Sequence, residues 1–223
     1  MKPILSMLNI FIDPKEAVKG FDSKWAWVWP LLIVSIVSGI VGWLMVPMAI
    51  QAMQYDPPRG LNREALQAAL PRIQLIQKIA VFTTPISTGV MMAIWAALLA
   101  AACAVMDIKV TFHKLFTLVA HCSLINAVQA VAMYVVLNLK RDEIQSLKQL
   151  VPQFGLDLLL GENANKQLAA LLGYFSIFQI WYLVILALGL AFLSGTTKGK
   201  AFAAITPVWL TGLLMRVGIS FFS

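Results

Sequence analysis

Charge is what this chain has least of: 12% of its residues are Asp, Glu, Lys or Arg, about half the share in soluble domains. With 60% hydrophobic residues and a mean hydropathy of +0.82, too little polar surface remains to cover a globule in water. An ordinary soluble enzyme is excluded. Disorder is excluded by the same figures, because disordered chains are rich in charge and poor in apolar residues. Cysteine is nearly absent. Cys103 and Cys122 both lie in apolar runs, so there is no disulfide framework and no zinc spacing. Period-two alternation is missing too, and the apolar runs far exceed the ~10 residues of a barrel strand.

What is present is a series of long uncharged stretches. Lys24 to Asp56 encloses 31 residues, Lys78 to Asp107 encloses 28, Lys114 to Lys140 encloses 25 and Lys166 to Lys198 encloses 31. Lys200 to Arg216 encloses 15, and seven more residues follow Arg216. A spanning helix needs about 20 mostly apolar residues. The chain therefore reads as an all-α integral membrane protein with five transmembrane helices, near residues 28–50, 79–105, 115–137, 171–193 and 201–222, plus amphipathic interfacial or loop helices. Arg216 lies inside the fifth span, six residues from Phe222, from where its long side chain can snorkel to the nearer interface.

Residues 1–24 lack the small-x-small site of a cleaved signal and run into Asp13-Pro14-Lys15-Glu16. That is a helix start: Asp13 caps, Pro14 suits the first turn, and Glu16 stands at the capping-box position. The spacing of Leu5, Leu8, Phe11 and Ile12 marks this segment as interfacial. Trp25, Trp27 and Trp29 follow at headgroup level, as an aromatic anchor. Basic residues tie between the two sides, eight against eight without Arg216. The lysine density of the two shortest loops places the N-terminus in the cytoplasm, at the inner membrane if the source is prokaryotic. The net charge of +7 is spread along the chain, which suits anionic lipid and offers no nucleic-acid face.

The two longer loops, 61–77 and 144–160, are both amphipathic and each is broken by a proline, Pro71 or Pro152. Past the next span, Thr111, Lys114 and Phe116 match Thr197, Lys200 and Phe202 at an offset of 86. One span followed by two copies of amphipathic helix, span, basic turn and span is therefore one reading, with chance matching the other.

Three sequence stretches resemble the Yip domain family, the Ypt/Rab-interacting membrane proteins. They are Asp13-Pro14-Lys15-Glu16-Ala17 with the Trp-rich 25–30 segment, Val110 to His121, and Gly189-Leu190 with Gly195 and Lys200-Ala201. The resemblance covers nearly the whole chain and implies five spans with a cytoplasmic N-terminus. The Asp-Leu-Tyr-Gly-Pro extension of eukaryotic members does not precede the first span, so the likeness is to prokaryotic-type members and Rab binding is not carried over.

Catalytic chemistry is sought in vain. None of the ten acidic residues falls inside the spans, and no metalloprotease, phosphate-loop or nucleophile-elbow motif occurs. Catalytic, cofactor and metal sites are all expected to be absent. His113 sits in a basic turn, where solvation is expected. The informative cluster is His121, Cys122, Ser123, Asn126 and Gln129 in the third span. Cys122, Asn126 and Gln129 share a face at i, i+4 and i+7 and are expected to turn inward. Thr83, Thr84, Ser87 and Thr88, with Gln179 and Thr206, are candidate partners. Such a face is either interhelical glue or the lining of a path. The expected function is a non-enzymatic scaffold or adaptor for membrane lipids or membrane-protein partners, with self-association as a further candidate. A small-solute or lipid transporter is the alternative, and a lipid-modifying enzyme a distant third.

Overall fold

Water is not at hand in a bilayer to satisfy backbone groups, so an apolar stretch there must satisfy its own, and each one here does so as helix. The computed structural model describes residues 3–57, 63–160 and 165–221. Two short helices come first, α1 (Pro3–Ile12) and α2 (Pro14–Val18). The spans follow as α3 (Val28–Tyr55), α4 (Arg63–Val105) and the consecutive pair α5 (Phe112–Cys122) and α6 (Leu124–Leu139). After α7 (Lys166–Tyr174) come α8 (Ile177–Ser194) and α9 (Lys198–Ile219). Among the described residues, five helical segments are long and apolar enough to cross a membrane, with α5 and α6 forming one of them.

The boundaries differ from the sequence reading where local chemistry intervenes. Pro71 does not break the second segment. The amphipathic loop and the span fuse into a single α4 of 43 residues, about 65 Å long against a hydrocarbon core of about 30 Å. Its first turns therefore stand clear of the bilayer. The fourth span starts later than residue 171. Phe175 leaves helical geometry at ψ 49°, and the Ser176 hydroxyl then caps α8 by accepting the Gln179 N–H at 3.2 Å. The third span is interrupted at Ser123, whose Oγ donates to the Val119 carbonyl at 2.8 Å.

The loop at 144–160 is not the amphipathic helix its pattern predicts. It folds as single 3-10 turns, Leu147–Leu150 and Leu156–Leu159, after another at Arg141–Glu143. Ile144 is buried with Met48, Ala52 and Leu137, and Leu147 and Leu150 pack against them, so the first part of the loop covers the end of α3 while Val151, Leu156, Leu158 and Leu159 stay exposed. The proposed repeat therefore does not extend to the architecture, since one half is a continuous helix and the other is broken. Its turns do correspond. Thr111 and Thr197 both precede their helices in extended geometry, although only the Thr197 hydroxyl caps, and α5 and α9 start 86 residues apart.

One end of the bundle gathers the N-terminal segment and both short turns. Lys114 Nζ pairs with Asp22 at 2.7 Å, and His113 Nε2 lies 3.3 Å from the Lys24 carbonyl. Lys200 Nζ donates to the Asp107 carbonyl at 3.5 Å, linking the 106–111 turn to the 195–200 turn. Gly195, at φ 68°, ends α8 in the left-handed geometry that a glycine adopts without a Cβ penalty. His113 is thus half-buried and bonded, where the sequence reading had it solvated.

The N-terminal segment is part of the packed core. Met7, Ile10, Ala17 and Phe21 are buried with residues of α5 and α8, while Leu8 and Ile12 face outward. The Phe11 ring lies 5.5 Å from that of Trp181. Asp13 caps α2 as its motif predicts, its carboxylate accepting the Glu16 N–H at 3.2 Å with Pro14 in the first turn. The reciprocal half of the capping box is not formed. The Asp13 N–H goes instead to the Asn9 carbonyl at 2.7 Å, and the Glu16 carboxylate pairs with Lys19.

Candidate functional site

The third span carries the polar cluster, and its five members meet different fates. His121 is buried, with Nδ1 2.8 Å from the Thr117 carbonyl and the Phe21 ring 4.5 Å away. Its Nε2 is buried without a hydrogen-bond partner among the described residues. Cys122 is fully buried and unbridged. Ser123 and Asn126 line a cavity of about 230 Å³, but Asn126 is exposed at its mouth and the half-buried Gln129 stands outside it, so of the expected inward stripe Cys122 alone is fully buried. The interruption at Ser123 separates Cys122 from Asn126 and leaves Asn126 and Gln129 on the same α6.

The cavity is lined by four spans and α7 and opens to the surface beside Asn126 and Met215. Aromatic walls come from Trp95, Tyr174, Tyr182 and Trp209, and polar points from Ser123, Asn126 and Gln179. The Tyr174 hydroxyl donates to the Trp209 carbonyl at 3.0 Å, and Gln179 Nε2 lies 3.5 Å from the same hydroxyl. Burial pushes the Tyr174 phenol above its usual range and so keeps it a donor, against the smaller opposing effect of the Arg216 charge. Trp209 Nε1 is buried without a partner among the described residues, leaving a donor at the wall for an acceptor that enters. Gly212 makes room for this arrangement, because a Cβ there would stand 2.4 Å from the Tyr174 hydroxyl.

Of the candidate partners named from sequence, Gln179 joins the cavity. Thr84, Ser87 and Thr206 do not meet the third-span cluster. Their hydroxyls donate to their own helices, at the carbonyls of Ala80 (2.9 Å), Thr84 (3.0 Å) and Phe202 (2.8 Å). Back-bonding to the preceding turn satisfies a hydroxyl without a second helix, which is why spacing alone misplaced them. The aromatic residues were missed because they come from separate elements, and only the tertiary fold brings them together.

Arg216 sits at the far end of α9. Its Nη2 and the Asp157 carboxylate both lie about 3 Å from where a Cβ of Gly173 would stand. Asp157 is buried and accepts the Gly155 N–H at 3.0 Å. The cavity lies in the middle and far half of the bundle, away from the N-terminal segment. Its α9 lining runs from Ile205 to Met215, and its α8 lining stops at Leu186. Towards the N-terminal end, Leu115, Leu118, Cys122, Leu190, Ala201 and Ala204 are buried against one another.

A family model described as the Yip1 domain matches residues 8–219. No curated protein and no solved structure matches the chain.

Proposed function

Because the chain belongs to the Yip1 domain family over nearly its whole length, we propose that this multi-pass membrane protein works as a non-enzymatic scaffold or adaptor. Its partners are membrane lipids, other membrane proteins or further copies of itself. The N-terminal segment faces the cytoplasm, in keeping with the lysine-dense short turns on its side. The observation that supports this reading is the filled layer beneath the cavity. Leu115, Leu118, Cys122, Leu190, Ala201 and Ala204 close the N-terminal end, so the cavity is a pocket with one packed side. A pocket of this kind holds a group, whereas transport needs a path to both faces.

Reconstitution separates the two functions. Proteoliposomes loaded with radiolabelled amino acids and sugars should lose them no faster than protein-free liposomes. Protein purified in mild detergent should carry lipid or a protein partner in fixed proportion. Asn126→Leu should lower stability by about 1 kcal/mol or less, with partner capture following the amount of folded protein. Protein-dependent flux that Asn126→Leu abolishes at full stability would replace the scaffold with a transporter.

A further inference from the structure

A second cleft, of about 610 Å³, opens between the far ends of α3 and α4 and is bordered by the turn that follows α6. Its cations come from different elements: Lys78 from α4 and Arg141 from that turn. Both mark a membrane boundary. Lys78 is the last charge before 28 uncharged residues, and Arg141 follows Lys140 after 25. Neither has an ion-pair partner among the described residues. Asp142 and Glu143 share the Arg141 turn but do not line the cleft. Gln51, Gln54, Gln74 and Gln77 add amide donors around the cations. Along α3 the lining then turns apolar, through Ile50, Pro47 and Val46 to Trp43, about 16 Å from Gln54.

We infer that this cleft holds an anionic glycerophospholipid, its phosphate between Lys78 and Arg141 and one acyl chain along the Trp43–Ile50 wall. The cations and amides match a phosphate diester, since guanidinium and ammonium groups with no carboxylate partner among the described residues attract an oxyanion at a membrane surface. A free phosphate uses only that end, and the apolar wall, continuous with the lipid-facing side of α3, accounts for the rest of the cleft. The inference goes beyond the scaffold reading and does not depend on it.

Native mass spectrometry of delipidated protein in non-ionic detergent is the test, with equimolar phosphatidylglycerol and phosphatidylcholine of identical chains. Retention of phosphatidylglycerol should exceed that of phosphatidylcholine by roughly thirtyfold, the effect of two interfacial cations. Lys78→Ala with Arg141→Ala should erase the preference without lowering the melting temperature, because both side chains are exposed. Lys109→Ala with Lys198→Ala, two exposed lysines at the other end, should leave it intact. Equal retention of the two lipids, a preference that survives the first pair, or equal loss in both pairs would overturn the site. Complete displacement of the lipid by millimolar inorganic phosphate would overturn the lipid in favour of a free anion. Any of these outcomes leaves the scaffold reading standing, because that reading rests on flux and partner capture.

Discussion

Phe21→Ala should destabilise the bundle by about 3 kcal/mol, a fall in melting temperature of roughly 6–12 °C in detergent. Phe21 has no exposed surface, and its ring lies 4.5 Å from that of His121. Truncation removes a large buried side chain at the place where the N-terminal segment meets the third span. The surroundings cannot collapse freely, because the Lys114–Asp22 pair and the His113 contact to Lys24 hold the backbone beside it. Trp25→Ala is the matched control: Trp25 is 71% exposed, and its loss should change stability by about 0.5 kcal/mol or less. Equal effects of the two changes would mean that the segment rests on the bundle without being built into it.

Gly189→Val should destabilise by about 2 kcal/mol, or roughly 4–8 °C. A Cβ at Gly189 would stand 2.4 Å from Cδ1 of Leu118, well inside van der Waals contact. Leu118 is fully buried, so its methyl group has little room to retreat. Close approach of α8 to α5 thus depends on a missing side chain, as small residues permit elsewhere in membrane helix packing. The clash also specifies its own remedy. Adding Leu118→Ala should recover more than half of the loss, as a positive coupling in a double-mutant cycle. Full stability of Gly189→Val alone would show that the two helices are not in contact there.

The parts of this fold that follow from local chemistry were legible in the sequence. Charge-free stretches set the number of spans, because burial of a charge in hydrocarbon is costly at any position. Asp13-Pro14 announced α2. What the sequence concealed depends on competition between neighbours. Pro71 sits in a helix that continues on both sides, whereas Ser176 breaks one that its hydropathy would have carried through. Ser123 donates back to Val119 and interrupts the third span, so a stripe drawn on an ideal helix is broken between Cys122 and Asn126. The cavity was half legible. Ser123, Asn126 and Gln179 stood out as polar residues at depth, while Trp95, Tyr174, Tyr182 and Trp209 looked like ordinary aromatic residues until the fold assembled them.

Two-sided cysteine labelling tests the five-span bundle most directly. Single cysteines placed at Lys15, Gln153 and Lys198, all exposed, would be read in a chain carrying Cys103→Ala and Cys122→Ala. In sealed vesicles a membrane-impermeant thiol reagent should reach positions 15 and 198 from one side and position 153 from the other. Labelling of positions 198 and 153 from the same side would contradict the five-span arrangement.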